Sequence, residues 1–146
     1  MKMIVNKKNL FWILVLWLPF LGGCHENDSP LEERCLPIVI DKSLFLNSHG
    51  DDFDFEKISL VGDCLEISIR YAGGCGDIIA TMVDSGDIDD SILFKRNLRL
   101  VIEDNDPCEA SITKTLSYDL MGIQVAEINE IRLEISGWPN PIIYKY

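Results

Sequence analysis

Cys64-Leu65-Glu66-Ile67-Ser68-Ile69-Arg70-Tyr71-Ala72-Gly73-Gly74-Cys75 carries the clearest strand signature in the chain. Leu65, Ile67, Ile69 and Tyr71 alternate with Glu66, Ser68 and Arg70. Successive side chains of a strand point to opposite faces, so this pattern marks a half-buried strand. Gly73 and Gly74 follow, both able to take positive φ, and let the chain turn tightly beside a cysteine. The alternation returns at Leu98, Leu100 and Ile102 and again at Ile131, Leu133 and Ile135. Phe53 and Phe55 open another run whose phase slips by Ile58 and Leu60, which predicts a bulge near Glu56 and Lys57. Residues 78–83 are apolar on both faces and read as a central strand. Residues 111–118 carry Ile112, Leu116 and Tyr118 on one side of a Ser/Thr-rich strand, and residues 37–40 and 142–144 complete the ends. Turn residues punctuate these runs at 48–51, 62–63, 73–76, 84–87, 104–107 and 138–141.

About eight short strands, without an apolar period of 3.6 over ten residues, predict an all-β fold. The expected architecture is a single antiparallel β-sandwich of Ig-like type over residues 35–146, with at most one helical turn in 121–129. A chain of 146 residues supports one such domain, and 47% apolar content is inconsistent with a disordered chain.

The N-terminus carries an address. A basic stretch with Lys2, Lys7 and Lys8 precedes a twelve-residue apolar run, 10–21. That run is too short to cross a bilayer, which takes about 20 helical residues, and it fits a secretory signal peptide. Leu21-Gly22-Gly23-Cys24 resembles the lipobox of bacterial lipoproteins. The resemblance implies a signal peptide over 1–23, lipidation of Cys24, and a membrane partner reached through that lipid. Residues 24–34, with Glu26, Asp28, Glu32, Glu33 and Pro30, then form an extended acidic tether. An acidic run so close to the lipid-bearing cysteine also resembles the surface-export signals of Bacteroidota lipoproteins, which implies an outer-membrane location and exposure at the cell surface.

Without residues 1–23, 10 basic and 24 acidic side chains remain, a net charge near −14. Such a chain does not bind nucleic acid, which requires clustered Lys and Arg.

Export places the domain where disulfides persist. Setting Cys24 aside leaves Cys35, Cys64, Cys75 and Cys108, an even number. Four cysteines allow three pairings, among which sequence alone does not choose. The pairing we expect is Cys35–Cys64 with Cys75–Cys108, each closing a loop of about 30 residues worth ~3–4 kcal/mol. The turn at 104–107 would bring Cys108 towards Cys75. A zinc site is the competing reading, but the 28, 10 and 32 residues between successive cysteines match no zinc-ligand spacing.

Two patches resemble a group of small Bacteroidota lipoproteins that are uncharacterised or NigD-like. One is the strand ending Tyr71-Ala72-Gly73-Gly74-Cys75. The other is Asp106-Pro107-Cys108-Glu109-Ala110 followed by Leu116-Ser117-Tyr118-Asp119-Leu120. With the closing Ile143-Tyr144-Lys145-Tyr146, the likeness covers residues 60–146. It implies a β-sandwich in the cell envelope. The group often has a histidine soon after Gly-Gly-Cys, where this chain has Gly76-Asp77-Ile78-Ile79, so any role of that histidine is absent here.

Candidate chemistry is sparse. Of the two histidines, His25 lies on the tether and His49 in a polar loop without a Gly-x-Ser-x-Gly elbow. The cysteines are better explained as bridges than as nucleophiles. Carboxylate pairs for glycoside hydrolysis are cheap to find among 24 acids. Calcium is the stronger option, with clusters at Asp51, Asp52 and Asp54, at Asp84, Asp87, Asp89 and Asp90, and at Glu103, Asp104 and Asp106. None matches the spacing of a calcium loop, so acidic loops of a solvated sandwich are the reading adopted, with no metal and no cofactor. Asp90-Ser91-Ile92 resembles a Bacteroidota O-glycosylation site. Trp138 on Trp138-Pro139-Asn140-Pro141 reads as an aromatic sealing the sandwich edge.

These readings converge on a lipid-anchored envelope protein that is not an enzyme. It is expected to act as a binding or accessory module with a protein or glycan ligand. The alternatives are an inhibitor or bacteriocin-immunity-type protein that binds a basic enzyme or toxin, and a glycan-active hydrolase.

Overall fold

The structure, a computed structural model, describes residues 35–89, 94–105 and 107–146. The expected signal peptide (1–23), the expected lipidation site Cys24 and the expected tether (24–34), together with the Asp90-Ser91-Ile92 motif and Asp106, lie outside the described residues.

The described residues form nine strands: β1 (Leu36–Pro37), β2 (Val39–Ile40), β3 (Phe53–Val61), β4 (Cys64–Gly73), β5 (Ile79–Asp84), β6 (Lys95–Glu103), β7 (Ala110–Asp119), β8 (Glu130–Ile135) and β9 (Ile142–Lys145). They make two sheets, one ordered β1-β7-β4-β3 and the other β2-β5-β6-β8-β9. The apolar partners in the period-two patterns turn inward. Leu65, Ile67 and Ile69 from one sheet meet Met82, Leu98, Ile102, Ile131 and Leu133 from the other, all fully buried. Each such side chain removed from water stabilises the fold by roughly 1.5–3 kcal/mol. The bulge appears where the phase slip puts it, between Phe55 and Lys57 in the β3–β4 register. A 3₁₀ turn at Met121–Ile123 supplies the helical turn expected in that region and buries Ile123.

The two-sheet sandwich stands, but its sheets are mixed, because three pairings are parallel: β1 with β7, β2 with β5 and β6 with β8. Residues 37–40 read as one terminal strand, yet the chain over 36–40 divides between sheets. Leu36-Pro37 registers with Tyr118-Asp119, and Val39-Ile40 with Val83-Asp84. Pro37 has no N–H to offer, and a two-residue strand at a sheet edge tolerates that loss. β6 and β8 can run parallel because the chain between them crosses to the other sheet as β7, which supplies the long connection a parallel pair needs.

Two local readings change. β5 is not apolar and buried on both faces throughout, since Ile79 is 59% exposed while Met82 and Val83 are buried. A helix, α1 (Lys42–Asn47), was not visible as a period because six residues make fewer than two turns. Its signal is the cap: the Asp41 side chain accepts from the Leu44 N–H at 2.9 Å. α1 packs on β5, and Phe45 lies under the Arg99 guanidinium, 4.9 Å from ring centroid to carbon. The outer face of the second sheet is therefore covered around Val83 and Val101, which are buried although they alternate with the core residues.

Disulfides join Cys35 to Cys64 and Cys75 to Cys108, with Cα separations of 6.1 and 5.8 Å. The first ties the start of β1 to the start of β4. The second ties the loop leaving β4 to the loop entering β7, at the other end of the sandwich.

Candidate binding site

Three loops meet at the Cys75–Cys108 end: residues 48–52 before β3, 74–78 after β4, and 104–105 with 107–109 before β7. Their backbones are tied directly. The Asp51 N–H donates to the Ile102 carbonyl at 2.8 Å, and the Asp104 N–H donates to Asp51 Oδ2 at 2.6 Å. The two glycines of the Gly-Gly-Cys turn have different duties. Gly74 takes a positive φ of 113°, as expected. Gly73 does not; it is required for space, because a Cβ there would lie 2.7 Å from the Tyr71 ring and 2.8 Å from Asp104 Oδ2.

The loops carry Asp51, Asp52, Asp77, Asp104 and Glu109, and the adjoining strand ends add Asp54 and Glu103, all exposed except the half-buried Asp104. The nearby cation Arg70 faces Asp54 at 3.7 Å and Glu56 at 3.4 Å, and Glu56 also accepts from the Thr113 hydroxyl at 3.3 Å. A groove of about 450 Å³ opens on this side, with Asp52, Asp54 and Glu109 around Phe53, Tyr71 and Arg70. The arrangement is a rigid, open, anionic surface with an aromatic floor. It can hold cationic side chains by charge and stack their apolar stems on Phe53 and Tyr71.

His49 is exposed, with Nδ1 2.8 Å from the Asn47 carbonyl. All four cysteines after Cys24 are bridged. The second acidic cluster disperses: Asp87 meets Lys42 at 3.0 Å, Asp89 meets Lys95 at 3.6 Å, and Asp84 turns inward. Among the described residues, no three His, Cys, Asp or Glu side chains are placed to hold a metal ion. Trp138 is half-buried against the sandwich, its ring edge-on to Phe55 at 6.0 Å.

One pair escaped the sequence reading. Asp84, fully buried, lies 3.4 Å from the guanidinium of Arg96, which is 7% exposed. Burial drives the Asp84 carboxyl above its ordinary value, against the opposing pull of the Gly86 N–H and Arg96. Arg96 stands two residues before Leu98, so it extends the inward phase of β6 with a charge, and that misplaced charge is the signal that could have found it.

The chain matches no family model and no curated protein. It is similar in structure to a NigD-like immunity protein from Bacteroides caccae, with a TM-score of 0.54 and 17% identity, covering 75% of this chain and 58% of that one. It is similar also to a protein of unknown function, DUF1344, from Bacteroides vulgatus, with a TM-score of 0.54 and 15% identity over 77% of this chain and 56% of that one. The chain thus spans less than three fifths of the length of either neighbour. At these identities the likeness is one of fold, and the fold is that of the NigD-like and DUF1344 structures.

Proposed function

We propose that this protein works by binding, as an immunity-type module that captures a basic protein through its acidic, disulfide-pinned end. The observation that carries the reading is the convergence of seven carboxylates, five on three loops tied by Cys75–Cys108, Asp51 and Asp104 and two on the adjoining strand ends. A preorganised field of one sign raises the encounter rate with an oppositely charged partner and selects against acidic ones. The NigD-like neighbour, named as an immunity protein, adds weight. On this reading Cys24 carries the lipid, and the acidic tether holds the module off the outer membrane at the cell surface.

The test uses the full chain with a basic muramidase as probe, titrated at rising ionic strength. Binding should weaken steeply with salt and with Asp52→Asn, Asp54→Asn and Glu109→Gln. Affinity that survives molar salt, or is indifferent to these substitutions, would overturn the proposal. Intact mass of the membrane fraction, with and without reduction, tests the anchor: an acylated Cys24 and two bridges are expected. A toxin gene beside this one would favour the immunity role over an accessory role in a transport operon.

A further inference from the structure

A second groove, of about 480 Å³, lies on the outer face of the other sheet, between α1 and the turn that joins β8 to β9. The turn is rigid. The Trp138 N–H donates to the Ile135 carbonyl at 2.9 Å, and Gly137 takes a φ of 87°, which a side chain would resist. Pro139 and Pro141 then fix the chain beyond it. Trp138 is thereby held half-exposed at the groove wall, its orientation set by the edge-on contact with Phe55. An aromatic surface immobilised before a ligand arrives loses little conformational entropy on binding.

The groove lining is mixed. Phe45 and Trp138 supply aromatic lining, and Asn97, Arg132 and Glu134 supply hydrogen-bonding groups from outward positions of β6 and β8. Arg132 Nη2 meets Glu134 Oε1 at 3.1 Å. Its Nε is buried and has no acceptor among the described residues. Together the Arg132 guanidinium and the Glu134 carboxylate offer both donors and acceptors to hydroxyl groups. The volume is that of small-ligand sites, roughly 300–1,000 Å³. The groove pairs one Arg with one Glu, and the chain carries a net charge of −11 that repels polyanions.

The geometry points to a neutral oligosaccharide as the occupant, its ring stacked on Trp138 and its vicinal hydroxyls held by Arg132, Glu134 and Asn97. This site is separate from the acidic end and stands or falls without it.

The experiment titrates the full chain with neutral glucan, xylan, mannan and chitin oligosaccharides, by calorimetry and by tryptophan fluorescence. The Trp138→Phe chain supplies the background for subtraction, and after removal of residues 1–23 Trp138 is the one tryptophan left in the sequence. One series should give saturable binding and a Trp138 signal. Affinity should fall by about tenfold or more, some 1.4 kcal/mol, in Trp138→Ala and in Arg132→Ala. Glu134→Gln, on the solvent side of β8, gives the same reading should Trp138→Ala fail to fold. Asp52→Asn at the acidic end should leave saccharide binding unchanged. Absence of binding across all four series, binding that survives both Arg132→Ala and Glu134→Gln, or occupation of the groove by a proline-rich peptide in place of saccharide would overturn the inference.

Discussion

The hydroxyl of Tyr144 donates to Asp63 Oδ1 at 2.6 Å and accepts from Gln124 Nε2 at 2.7 Å. Tyr144 lies on β9, the edge strand of one sheet, and Asp63 in the turn that joins β3 to β4 in the other. One phenol therefore couples the sheets at the end opposite the Cys75–Cys108 bridge. Leu120 N–H, donating to the Asp63 carbonyl at 2.9 Å, holds the same turn from the backbone side.

Tyr144→Phe should cost about 1 kcal/mol at neutral pH, the net worth of such a hydrogen bond when exposed Asp63 can turn to water. It should also change the alkaline limb. Burial, aided by the Asp63 hydrogen bond, pushes the Tyr144 phenol up to about 12 from 10.0. Below 10 the stabilisation is fully present. Above it the unfolded chain ionises first, and stability falls by about 1.4 kcal/mol per pH unit until the folded phenol follows. Urea midpoints followed from pH 9 upward should therefore fall less steeply in Tyr144→Phe, with Tyr118, also raised by burial, supplying the slope that remains.

The two bridges should prove equal in stability and unequal in function. Each closes a loop of comparable length, with separations of 29 and 33 residues, and removing either pair should cost about 3–4 kcal/mol. Replacing Cys75 and Cys108 by Ala should also loosen the acidic loops and weaken capture of a basic probe. Replacing Cys35 and Cys64 should lower the melting temperature by a similar amount and leave capture intact. Thermal melts beside binding titrations of both double variants check this.

Why the strands were legible and the sheet order was not is a matter of range. Leu65 to Tyr71 and Ile131 to Ile135 declare their faces because a pleat repeats every two residues, and the slip at Glu56-Lys57 shows as a break in that repeat. The partner of a strand is a long-range choice. Nothing local in Leu36-Pro37-Ile38-Val39-Ile40 says that Ile38 is where the chain leaves one sheet for the other. The acidic end was visible only as the first and third of three separate runs of carboxylates. What gathers the first and third is the Asp51–Asp104 contact across 53 residues. The groove beside Trp138 was less legible still, because Phe45 reaches it from a helix too short to show a period.

Gly73→Ala should be costly although Gly73 lacks positive φ. The new methyl would press on the Tyr71 ring and the Asp104 carboxylate within 3 Å, and overpacking of this kind costs about 1–3 kcal/mol. Gly122→Ala is the control, with nothing within 4 Å of the added carbon, and should be neutral or slightly stabilising. Denaturant unfolding of the two variants side by side separates lost space from the general effect of replacing glycine.

The Asp84–Arg96 pair should reverse the usual acid response of a carboxylate. Because burial raises the Asp84 carboxyl in the folded chain, folding takes up a proton. Its contribution is greatest below the unfolded value of 3.8 and is lost as pH rises through the raised folded value. Arg96 offsets the buried charge at neutral pH from 3.4 Å. Arg96→Met strands that charge and should cost about 3–5 kcal/mol near pH 7. The penalty should shrink on acidification towards pH 4, where Asp84 accepts a proton and no longer needs a cation. Asp84→Asn combined with Arg96→Met removes both charges and should recover most of the loss at pH 7. Urea titrations of the single and double variants at the two pH values test the account, and a penalty for Arg96→Met that does not depend on pH would mean that packing, not charge, holds β5 to β6 at this end of the core.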